Sequence, residues 1–99
     1  MNIQRNGDSV TLFTDERIDA NSAPRFAAEM EKALVGATDL TLDFGALTYI
    51  SSSGLRAVML AVRTMEGRGG VRIVNVGKYV YEVLEATGFV GVCDVEPKA

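Results

Sequence analysis

The stretch Tyr49-Ile50-Ser51-Ser52-Ser53-Gly54-Leu55-Arg56 holds the residue types and spacing best suited to chemistry in this chain. Its serines stand immediately before an apolar, helix-forming run. One use for them is capping, in which a hydroxyl accepts a hydrogen bond from a free backbone N–H of the first turn. The same place suits an added phosphate, because free N–H groups and the positive end of the helix dipole favour negative charge there. A serine phosphorylated at a helix start leaves the fold intact and acts outward, on a partner. Nucleophilic catalysis is the third use and lacks its other half. The chain has no histidine to serve as base, and the G-x-S-x-G elbow is absent.

The helix that follows extends the site. On a 3.6-residue wheel, Leu55, Val58, Met59, Val62 and Met65 gather on the side expected to face the core. Arg56, Leu60, Arg63 and Thr64 gather on the other, where a leucine bracketed by arginines makes either a recognition surface or an ordinary solvated face. Asp19 is a loop acid that can serve the serine turn if the fold brings the two together. Gly67-Arg68-Gly69-Gly70 reads as a tight turn, since a phosphate loop follows a strand and opens a helix, the reverse of the order here. The carboxylates of Asp15-Glu16-Arg17-Ile18-Asp19 lack metal-loop spacing. Asp43 reads as the polar face of a strand, and Cys93 as a small apolar residue.

Alternating elements must position these residues. Val10, Leu12 and Thr14 alternate with Thr11 and Phe13 as a strand does, and Asn6-Gly7-Asp8 before them predicts a hairpin with a first strand around Ile3. Ile18 to Pro24 reads as a loop entering a helix, with Asn21 or Ser22 able to cap it and Pro24 in its first turn. Phe26, Ala27, Met30, Ala33 and Leu34 mark that helix's apolar face, and Gly36 stops it. Leu40, Leu42 and Phe44 define the next strand, and the helix after the serines ends near Glu66. A strand over Val71–Val76, a helix from about Lys78 to Thr87 closed by Gly88, and a last strand over Val90–Val95 complete the chain. Strands separated by helices imply βαβ crossovers and a largely parallel sheet with helices packed on it.

Composition bounds what such a chain does. Its 99 residues suit one domain spanning the whole chain, with a core that needs no disulfide or metal staple. The missing histidines and the single cysteine exclude Ser-His-Asp and Cys-His catalysis, an internal disulfide and the usual zinc sites. A net charge of −3 with scattered basic residues argues against nucleic acid. The most apolar window, Phe44 to Val62, is broken by serines, glycines and Arg56, so no membrane span is expected. Without a secretory signal in Met1–Arg5, a cytoplasmic location is the expectation.

Ile18-Asp19-Ala20-Asn21-Ser22-Ala23-Pro24, Leu42-Asp43-Phe44, the serine-glycine-leucine segment and Leu84-Glu85-Ala86-Thr87-Gly88-Phe89 together resemble the STAS domain of bacterial anti-sigma-factor antagonists. The likeness runs over nearly the whole chain. It implies an α/β fold with a mixed, mostly parallel sheet of about four to five strands and about three to four helices packed against it. It also implies a binding switch with no enzymatic activity and no cofactor. Unphosphorylated, such a protein binds an anti-sigma factor that is also a serine kinase and so frees a sigma factor for transcription; a phosphoserine phosphatase resets it. In the usual family pattern an Asp precedes the hydroxyl residues and the glycine, and the first hydroxyl after the Asp accepts phosphate. Aligning Gly54 with that glycine makes Ser52 the acceptor, with Ser51 and Ser53 as alternatives; Ser51 stands where the pattern has Asp. The implied partner surface comprises Asp19, Ser53, Gly54, Arg56, Leu60 and Arg63 on a chain that is monomeric when free. Some STAS domains instead serve as fixed partners, beside a lipid-transport ATPase or within a stress-sensing assembly, and there Ser52 is only a helix cap. A small-molecule or nucleotide site at Asp19 and the serine turn is the remaining reading.

Overall fold

The computed structural model describes residues 1–99. Strands β1 (Asn2–Asn6) and β2 (Ser9–Phe13) form the expected antiparallel hairpin, closed at Gly7-Asp8 with Gly7 at φ +64°. A short strand β3 (Arg17–Ile18) leads to α1 (Ala23–Leu34), then β4 (Asp39–Asp43), a second short strand β5 (Tyr49–Ile50) and α2 (Ser52–Thr64). After these come β6 (Val71–Val76), α3 (Lys78–Ala86), a 3₁₀ turn at Phe89–Gly91 and β7 (Asp94–Pro97).

The main sheet has five strands in the order β1-β2-β4-β6-β7, with every pair after the hairpin parallel. A helix lies between each pair of successive parallel strands, as crossover connections require. The registers align Val10 with Leu40 and Val71, and Leu12 with Leu42 and Ile73, so one face of the sheet presents a continuous apolar block. That block shares one core with Phe26, Met30 and Ala33 of α1, with Ala57, Val58 and Ala61 of α2, and with Met65 at the C-cap of α2. The opposite residues Thr11 and Thr41 are half-buried and Arg72 is exposed, giving the period-2 alternation of a sheet covered on one side. This is the mixed, mostly parallel α/β arrangement the sequence implied.

Two expectations are corrected. Residues 90–93 are not strand. Gly88 sits at φ +86°, and the amides of Gly91, Val92 and Cys93 bond back to Gly88 and Phe89, so a tight turn buries Phe89 before β7 begins at Asp94. The core stripe of α2 is also rotated from the one hydrophobicity selects: Gly54, Ala57, Val58, Ala61, Val62 and Met65 are buried, whereas Leu55 and Met59 are only partly so. The cause is close approach to α1, against which α2 packs. Small residues let the two backbones come near, and the longer Leu55 and Met59 are displaced to the rim.

Candidate functional site

The serine turn is placed by the smallest element of the fold. Strands β3 and β5 pair in parallel, Arg17 beside Tyr49 and Ile18 beside Ile50, and the Ser51 N–H extends the ladder by donating to the Ile18 carbonyl at 2.7 Å. Ile18 and Ile50 are buried, which pins the ladder to the core. The residues that follow each strand, Asp19 and Ser51, are therefore brought side by side. On the outer side, the Arg17 guanidinium lies 4.5 Å from the centroid of the Tyr49 ring, within cation–π range.

Each serine has a different occupation. Ser51 is the N-cap of α2, with extended backbone, and its Oγ accepts from the Gly54 N–H at 3.2 Å. Its hydroxyl also lies 3.0 Å from that of Ser53. Ser52 is not the helix cap the fixed-partner reading makes it: the cap is Ser51, and Ser52 is the first helical residue, exposed, with no hydrogen-bond partner for its hydroxyl in the chain. The first turn of α2 holds no acidic residue, so no charge within it offsets the positive end of its dipole.

Gly54 is explained by packing. A β-carbon there would lie 2.7 Å from Ile18 Cγ2 and 2.8 Å from Ile50 Cγ1, so only glycine lets the helix start sit directly on the short ladder. It is buried and offers no side chain to a partner; its part in the site is to hold Ser52 and Ser53 in place.

Asp19 organises its own loop. Its Oδ1 accepts from the backbone N–H groups of Ser22 and Asn21, both at 3.0 Å, and lies 3.2 Å from the Ser22 hydroxyl. The Ser22 backbone N–H beside it holds the Asp19 carboxyl below the usual carboxylate range, so the group stays ionised at neutral pH. Ser22 occupies the N-cap position of α1 as expected, but its hydroxyl accepts from the Asp19 N–H at 3.0 Å and caps no helical amide. Local side-chain bonding within the loop has won over capping.

Beyond Ser52, the outer strip of α2 lines an open groove of about 520 Å³. Ser52, Leu55, Arg56, Met59, Leu60 and Arg63 form one side, and Thr87 and Phe89 come from the end of α3 and the turn after it. The α2 residues recur at three- and four-residue steps, which is why they share a face. The structure thus brings together Ser52, Arg56, Leu60 and Arg63. Leu60 is 58% exposed, and neither arginine makes an ion pair or hydrogen bond within the chain. Thr87 and Phe89 went unassigned to the site by sequence reasoning; their only signal was a turn of Thr-Gly-Phe closing a helix.

The remaining candidates are structural. Asp43 accepts from the Gly45 N–H at 2.8 Å and from Asn75 Nδ2 at 3.0 Å, tying the ends of β4 and β6. Cys93 is half-buried, and burial, helped by the negative charge of Asp94, pushes its thiol up. The glycine-rich segment after α2 is a turn, with Gly67 and Gly70 at φ +80° and +83°. No His, Cys, Asp or Glu cluster has the makings of a metal site, and no helix is long and apolar enough to cross a membrane.

Comparison with known proteins agrees with this geometry. A sequence profile of the STAS domain matches residues 1–98. The chain belongs to the STAS-domain family. STAS domains are non-catalytic modules. BtrV of Bordetella bronchiseptica, described as a candidate anti-sigma factor antagonist, is 36% identical over 70 residues, which cover 70% of this chain and 58% of that protein. The chain therefore matches less than two thirds of this relative's length. Among solved structures, an anti-sigma factor antagonist from Mycobacterium paratuberculosis superposes with a TM-score of 0.87 at 16% identity, covering 97% of this chain and 83% of the other. Bacillus SpoIIAA in its phosphorylated form gives a TM-score of 0.74 at 18% identity, covering 99% of this chain and 89% of that one. At these identities the structures share the STAS fold.

Proposed function

We propose that this STAS domain is an anti-sigma-factor antagonist whose partner binding is switched at Ser52. Unphosphorylated, it binds an anti-sigma factor that is also a serine kinase, and a sigma factor is released; phosphorylation ends the complex, and a phosphatase restores it. One observation carries the reading. Ser52 is the exposed serine of the turn with an unpartnered hydroxyl, and it opens the same groove that Arg56, Leu60 and Arg63 line. Ser51 and Ser53 are less suited as acceptors because they bond to each other and Ser51 caps the helix. The likeness to BtrV and to antagonists of the same fold points the same way.

The physical consequence of the modification is large. Phosphate adds about −1.5 to −2 charges and a strongly hydrated group at the rim of the contact. Burying such charge without a partner costs several kcal/mol, and about 1.4 kcal/mol already lowers affinity tenfold. The domain itself tolerates the group, because the helix start stabilises it. Catalysis resides in the partners, which supply base, metal and nucleotide.

Incubation with an anti-sigma serine kinase and ATP, followed by mass spectrometry of the digested chain, tests the assignment. One phosphate on Ser52, absent from Ser52→Ala, is expected. An unmodified Ser52, with the kinase active on another substrate, overturns it and leaves a fixed partner module in which Ser52 merely begins a helix.

A further inference from the structure

We propose that the groove beside Ser52 docks an acidic amphipathic helix of the partner, whose carboxylates pair with Arg56 and Arg63 around an apolar residue seated against Leu60. The inference rests on the reading of this face as the partner surface and adds the chemistry of what binds there.

Charge is the first argument. The chain as a whole carries −3, yet no residue lining the groove is acidic and both of its cations are unpaired. Arginines at such a surface present planar donor forks matched to carboxylates. Spacing is the second. Arg56 and Arg63 are seven residues apart on one helix, so their Cα atoms are about 10 Å apart along the axis. Acidic residues two turns apart on a partner helix have the same separation, with an apolar residue between them facing Leu60. Shape is the third. Leu55, Met59 and Phe89 give the groove an apolar floor between α2 and the turn after α3, the arrangement a helix laid in a groove requires.

An anionic membrane is the other surface that attracts arginines beside exposed apolar side chains. It fits less well: lipid-binding patches typically gather about four to eight basic residues, whereas this groove has two on a net-negative chain.

The position of Ser52 links the groove to the switch. Arg56 lies one helical turn after Ser52, the spacing at which helix side chains meet. A phosphate on Ser52 therefore competes with the partner's carboxylate for Arg56, in addition to repelling it.

The test is an NMR titration of the isotope-labelled full chain with a synthetic helix-forming peptide of about 18 residues. It carries Glu at positions i and i+7 and Leu at i+3 and i+4, and a control replaces both Glu by Gln. Saturable shifts confined to residues 52–63 and 87–89 are expected, with the control at least tenfold weaker. Affinity is expected to fall as salt is raised, and Arg56→Glu with Arg63→Glu to abolish binding while the remaining spectrum stays folded. Equal binding of both peptides, no saturable shift, or binding to phosphatidylserine vesicles in place of the peptide overturns the proposal. Ser52→Glu separates the two readings. If it leaves peptide affinity unchanged, the switch is wrong and the docking surface stands; if the kinase modifies Ser52 but no peptide binds, the reverse holds.

Discussion

Helix α2 has an inner face and an outer strip built on different principles. The inner face, Gly54, Ala57, Val58, Ala61 and Val62 with Met65 at the C-cap, is buried and made largely of small residues that let neighbouring elements approach. The outer strip, Ser52, Leu55, Arg56, Met59, Leu60 and Arg63, lines the groove, and the polar ends of Ser52, Arg56 and Arg63 have no partner within the chain. The inner face is satisfied within the chain and the outer one is not. Stability and binding should therefore be separable on one helix, residue by residue.

The largest effect expected is on the inner face. Met65 is fully buried, so Met65→Ala should cost about 2–5 kcal/mol in urea denaturation. Leu60→Ala, on the exposed strip, should change stability by less than about 0.5 kcal/mol and act on partner affinity instead. Comparable losses of stability from the two would abolish the distinction. Gly54→Val comes next. It should cost about 1–3 kcal/mol through overpacking against Ile18 and Ile50, and should disturb the amides of Ser52 and Ser53 in an NMR spectrum.

The serine turn sharpens the comparison within three adjacent hydroxyls. Ser51→Ala removes the N-cap and should cost about 1 kcal/mol, whereas Ser51→Asp, an equally good cap, should restore nearly all of it. Ser52→Ala should leave the denaturation midpoint almost unmoved, since its hydroxyl bonds to nothing in the chain. A Ser52→Ala loss as large as that of Ser51→Ala would make Ser52 a structural residue and remove the ground for assigning it a signalling role.

How legible these differences were depends on size. Strands β2, β4 and β6 and the three helices carry their periodicity over five or more residues, and the sequence pattern located them. The β3–β5 ladder, which juxtaposes Asp19 and Ser51, is two residues long on each side and has no period to detect. The α2 wheel misplaced Leu55 and Met59 because hydrophobicity ranks large residues first, while the contact with α1 selects small ones. Val90 and Val92 look like strand residues, yet Gly88 in a left-handed conformation commits the chain to a tight turn before β7. The groove's far wall follows from that turn, which is why Thr87 and Phe89 were not assigned to it.

Asp19 tests the comparison at its boundary, being half-buried and, unlike the polar ends of the outer strip, hydrogen-bonded within its own loop. Its carboxyl is held below the ordinary value by the Ser22 and Asn21 amides, so ionised Asp19 favours the folded state. A group whose pKa is lower folded than unfolded contributes fully above its unfolded value and loses that contribution as pH falls through its folded one. The stability gap between the natural chain and Asp19→Asn should thus be flat from about pH 5 to 8 and close below about pH 4. Asp15, paired with the Met1 ammonium at 2.7 Å, shifts in the same direction, so acid sensitivity persists in the variant and only the difference reports on Asp19. Urea unfolding at pH 7, 4 and 3 measures it. A gap that stays constant through the acid range would mean that the loop holds its shape without the charge, and Asp19 would then belong with the residues whose worth lies in what they offer a partner.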